Sequence, residues 1–161
     1  MRTLRTTLLL IAIAGGTVRA QETAEPAIPP EQREQLYREF ELMMSGVALV
    51  GHFTVTGNEK PPAKERYEIS SVKKLPQGDY WMFVARIAYG DKDVTLPLPL
   101  EVKWAATTPV ITLSDLTIPG LGTFSARVLV HDGKYAGTWS HGEVGGLLYG
   151  VVERNAAEQR E

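Results

Sequence analysis

The chain contains no cysteine. Disulfides, thiolate metal sites and cysteine nucleophiles are therefore excluded together, and stability has to come from a packed core. Histidine is scarce, with only His52, His131 and His141, and their spacing does not suit a zinc site. No metal and no other cofactor is expected. Long apolar runs are missing as well. The run over residues 8–14 is far shorter than the roughly 20 residues a membrane-spanning helix requires.

That short run follows Arg2 and Arg5 and precedes Val18-Arg19-Ala20, a small-x-small junction. This is the layout of a secretory signal peptide over residues 1–20, and export to the periplasm or the extracellular space is expected. No cysteine follows the junction, which argues against a lipid anchor. Without the segment the chain carries 14 basic and 19 acidic residues, a net charge of −5. A mildly acidic protein gains nothing from a polyanion, so nucleic acid is not an expected partner. About 140 remaining residues suffice for one domain held by its core alone.

Residues 21–30, "QETAEPAIPP", are polar and proline-rich and read as a flexible linker. A single domain is expected over 31–154, followed by a charged tail over 155–161. Its first element is an amphipathic helix over 31–45, where Leu36, Tyr37, Phe40, Met43 and Met44 form one apolar stripe. Pro30 suits the first helical position and Gly46 a left-handed stop. Glutamates dominate the outer face and would repel anionic lipid, so the stripe is expected to lie on the core.

Beyond Gly46 the period changes to two. "VALVGHFTVTG", "ERYEISSVKK", "YWMFVARIAY", "DVTLPLPLEVKW", "PVITLSDL", "TFSARVLVH", "YAGTWSH" and "EVGGLLYGVVE" read as seven or eight strands at hairpin spacing. In the fourth, Val94, Leu96, Leu98, Leu100, Val102 and Trp104 share one face. Pro97 and Pro99 cannot donate ladder bonds, so that strand is expected to be an edge or bulged. Asp132-Gly133 marks a tight hairpin whose two positive φ angles these residues supply cheaply. The fold class is mainly β, an antiparallel up-and-down meander closed as a small barrel, with a two-sheet sandwich as the alternative.

The stretch 135–150 holds five glycines. They lie inside β-patterned sequence and not before a helix N-terminus, so a phosphate loop is a poor reading. They are expected to make room for Trp139 and to let strands coil toward closure. Gly51-His52-Phe53 on a first strand after a short helix, together with "GTW" and "GGLLYG" later on, resembles the calycin superfamily of lipocalins and avidins. The chain carries Phe53 where lipocalins have tryptophan, and it has no cysteines for their disulfides. The resemblance implies an up-and-down barrel that binds a small apolar ligand inside.

Enzymatic chemistry is not expected. No Gly-x-Ser-x-Gly elbow is present, and Ser140 and His141, adjacent in a strand, point to opposite faces. His131 and His141 border turns and read as solvated. An outer-membrane barrel is also disfavoured, because "ERYEISSVKK" offers no lipid-facing apolar band. The reading that remains is a non-catalytic binding module for a small apolar or amphipathic molecule, held among Phe53, Trp104, Phe124 and Trp139. The alternative is a structural or protein-interaction domain with a filled core.

Overall fold

The computed structural model describes residues 28–89 and 92–155. The expected signal segment, most of the linker and all but the first residue of the tail lie outside them. Helix α1 covers Pro30–Met44, with proline at its start as expected. Its backbone ends through Gly46 at φ 66°, a left-handed angle that a side chain would resist.

Eight strands follow: β1 Val47–Phe53, β2 Ala63–Lys74, β3 Tyr80–Tyr89, β4 Lys92–Ala105, β5 Thr108–Ile118, β6 Gly122–His131, β7 Lys134–His141 and β8 Val144–Arg154. Each pairs antiparallel with the next, and β1 also pairs with β8 from Val47 opposite Arg154 to Phe53 opposite Leu148. That last ladder decides between the two architectures: the meander is a closed barrel and not a sandwich. The β6–β7 hairpin turns on Asp132 and Gly133, both at positive φ (48° and 67°).

The alternation read from β4 is present in space. Leu98, Leu100 and Val102 are buried, while Thr95, Pro97, Pro99 and Lys103 are exposed. Val102 N donates to the Asp79 carbonyl beside β3. Even-numbered residues of β4 thus aim their backbone groups at β3 and odd-numbered ones at β5. Pro97 and Pro99 belong to the second set. The β4–β5 ladder runs only from Ala105 opposite Thr108 to Glu101 opposite Thr112, and it stops where the prolines begin. From there β4 pairs with β3 alone, so the strand is an edge over half its length inside a closed barrel. Beyond the last paired residue β5 is irregular between Leu113 and Leu116, with Asp115 at φ 48°. Arg127 pins this bend from outside through the Leu113 carbonyl and the Ser114 hydroxyl. In amide hydrogen exchange, Thr95, whose N–H faces the unpaired side, is expected to exchange at least tenfold faster than Leu96 and Leu98, which face β3. Equal protection would mean that the ladder continues.

Helix α1 closes one end of the barrel. Phe40 and Met44 are buried, and Tyr37 and Met43 pack beside them. The Phe40 ring meets Trp81 edge-on at 4.9 Å and Trp104 at 5.6 Å. Polar contacts fix the helix to β2, with Lys74 N donating to Glu41 Oε1 (2.7 Å) and Val72 N to Ser45 Oγ (2.9 Å). From the far strand, the Arg154 guanidinium donates to the Leu42 and Ser45 carbonyls at the helix C-terminus, where a cation also suits the helix dipole.

Candidate functional site

The half of the barrel away from α1 is hollow. A cavity of about 240 Å3 lies among inward side chains of all eight strands. Its wall is almost wholly apolar and includes Leu49, Phe83, Leu98, Leu113 and Leu148. A dry apolar cavity of about 150 Å3 already takes up a benzene-sized molecule, so this one is large enough to hold a small ligand.

Three of the four residues singled out in the sequence come together here. Phe53, Phe124 and Trp139 all line the cavity. Phe53 stands edge-on to Trp139 at 5.6 Å, and the indole Nε1 donates to the Thr54 carbonyl (3.1 Å), which fixes the ring at the wall. Trp104 does not join them. It lies under the helix at the opposite end, against Tyr37 (5.8 Å) and Phe40. Inward alternation gives a residue's face but not its height along the barrel axis, and Trp104 is at the wrong height. His141, expected in solvent, is half-buried with its ring 4.4 Å from Phe124, because it shares the inward face of β7 with Trp139. Among the described residues no group of three or more histidine, aspartate or glutamate side chains could hold a metal ion.

Sequence reasoning missed the polar centre of the cavity. Glu65 points inward from β2 and accepts two phenol hydrogen bonds, Tyr135 Oη to Oε1 (2.7 Å) and Tyr67 Oη to Oε2 (3.0 Å). The geometry behind this is a row across four strands. Glu65 on β2 stands opposite Gly51 on β1, Gly51 opposite Gly150 on β8, and Gly150 opposite Tyr135 on β7. A Cβ on Gly51 would strike the Tyr149 carbonyl and the Tyr135 hydroxyl, and one on Gly150 the Val50 carbonyl and the Tyr135 ring. The two glycines thus let Tyr135, itself buried, reach across two strands to Glu65. Gly146 stands opposite Trp139, but a Cβ there would strike the Thr54 carbonyl and not the indole, so this glycine admits the backbone group that Trp139 bonds and does not make room for the ring itself.

Burial holds the Glu65 carboxyl above its ordinary range, against opposing pulls from Tyr135, Tyr67 and, more weakly, His52. Burial and the adjacent carboxylate raise the Tyr135 phenol in turn, so it stays a donor across the physiological range. Because folding favours protonated Glu65, its effect on stability is most favourable below the unfolded carboxyl pKa. That advantage is lost as pH rises through the higher folded value. The charged neighbours on its own strand, Lys64 and Arg66, are exposed, and both border the cavity. The melting temperature of Glu65→Gln relative to wild type is therefore expected to climb between about pH 4 and pH 7. A difference that stays flat or shrinks over that interval would contradict the burial of this group.

Among the described residues no helix is long and apolar enough to cross a membrane. Comparison with protein-family models, with curated proteins and with solved structures gives no match, so the reading of this chain rests on its own residues.

Proposed function

We propose that this protein is a non-catalytic binding module that holds a small, largely apolar molecule in the hollow half of its barrel, as the calycin resemblance implies. The observation that carries the reading is the cavity itself, about 240 Å3 with a mostly apolar wall that holds the Glu65 cluster. It lies somewhat below the about 300–1,000 Å3 typical of drug-sized ligands, so the occupant is a compact molecule or one arm of a longer one. Phe53, Phe124 and Trp139 form its aromatic contacts, with Leu98 and Leu113 bordering the stretch where β4 and β5 are unpaired. A filled core, the alternative, would leave no such void.

Export fits this role, since a carrier or sensor of small molecules outside the cytoplasm needs no cofactor and no partner chain. Native mass spectrometry of protein purified from its own host tests the proposal. A bound small molecule that organic extraction strips is expected. A clean apo mass, together with no uptake of a neutral fluorescent apolar probe, would overturn it.

A further inference from the structure

The polar cluster inside the cavity constrains the ligand further, on the reading that the cavity is a binding site. Ionised Glu65 can only accept hydrogen bonds, so both phenols spend their protons on it. What remains at this spot is acceptor capacity: the further lone pairs of the carboxylate and those of the Tyr135 oxygen. A ligand head that also only accepts, such as a carboxylate or phosphate, has nothing to bond to here and meets a like charge.

Among the described residues no lysine or arginine pairs with Glu65. Arg66, next to it in sequence, is turned outward onto Glu68 (3.1 Å) and Glu153 (3.9 Å). A partly buried carboxylate that no lysine or arginine pairs with among the described residues, and that His52 favours only weakly, is costly, and a cation brought by the ligand relieves that cost. An ammonium group has three donors, no acceptor and the missing charge. The aromatic faces lining the cavity, Phe53, Tyr67, Phe124 and Trp139, are themselves favourable surroundings for such a head. The Gly51–Gly150 pair carries Tyr135 to Glu65 and fixes this acceptor set in place.

We propose that the cavity selects an amphipathic organic cation, with its ammonium head on Glu65 and Tyr135 and its apolar body against Leu98, Phe124 and Trp139. The test is calorimetric titration of the full chain at pH 7 with octylamine, 1-octanol and octanoate, three ligands that share a tail and differ in head. Octylamine is expected to bind at least tenfold more tightly than octanol, and octanoate most weakly. Glu65→Gln is expected to reduce octylamine affinity about tenfold or more while leaving octanol within twofold. If Glu65→Gln does not fold, the ranking of the three heads on the unaltered protein still decides. Equal affinities, or an octanoate preference, would overturn the cation proposal and leave the binding module standing. An octylamine preference unchanged in folded Glu65→Gln would overturn the role given to that carboxylate. Failure of all three ligands to bind would count against the cavity as a binding site.

Discussion

Phe40→Ala is expected to destabilise the protein by about 3–5 kcal/mol, the range for removing a fully buried phenylalanine. Phe40 is 2% exposed and its ring touches those of Trp81, Phe83 and Trp104. It is the main apolar peg by which the helix closes its end of the barrel. Trp81, itself fully buried, and Trp104 would each lose a ring partner and keep only Tyr37 on the helix. For a domain of this size the cost corresponds to a fall in melting temperature on the order of 10–20 °C. Leu42, on the same helix but 72% exposed, is the internal control: Leu42→Ala should change stability by less than about 0.5 kcal/mol. A Phe40→Ala protein that melts within a few degrees of wild type would mean that the helix rests on the barrel without plugging it.

The second large effect is expected at Gly150→Val. The added Cβ meets the Val50 carbonyl and the Gly51 backbone, neither of which can rotate away, as well as the Tyr135 ring. Overpacking of this kind costs about 1–3 kcal/mol and sometimes more, and a collision with backbone belongs at the upper end. Gly51→Val should behave alike, because it faces the same crossing from the other strand. In a Tyr135→Ala background the penalty of Gly150→Val should shrink, since one of the colliding groups is gone, but it should not vanish while the carbonyl remains. Thermal denaturation of the four proteins of that cycle measures the coupling. Strict additivity would show that the ring does not lie over the glycine.

Much of this architecture could be read from the residues, and the reasons for the exceptions are physical. Alternation in β4 gave the inward face correctly, and the prolines correctly announced a strand half of which has no second partner. The Asp132-Gly133 turn and the Gly46 stop were legible because each needs a backbone angle few residues accept. Glu65 was not legible. In "ERYEISSVKK" the register slips between Ile69 and Ser71, so the inward set is Glu65, Tyr67, Ile69 and then Val72. One extra residue at the bulge destroys the two-residue period that marks a half-buried strand. With the period lost, a glutamate beside a tyrosine reads as ordinary surface. Gly51 and Gly150 gave no hint that they serve one tyrosine, because the row that joins them runs across strands nearly a hundred residues apart.

The surface charges add little to stability. Arg86 bridges Asp93 (2.6 Å) and Glu68 (3.3 Å) on the outer wall, where Arg86 and Asp93 are exposed and Glu68 partly so. Pairs of this kind contribute at most about 1 kcal/mol and weaken with salt. The hollow with its acceptor cluster is the feature on which the proposed binding role rests. A crystal of the protein held under xenon pressure tests it most directly. The account predicts xenon density in the space bounded by Phe53, Leu98, Leu113 and Trp139, and none beneath the helix beside Trp104. Side chains collapsed into that space, with xenon absent from the barrel interior, would contradict it.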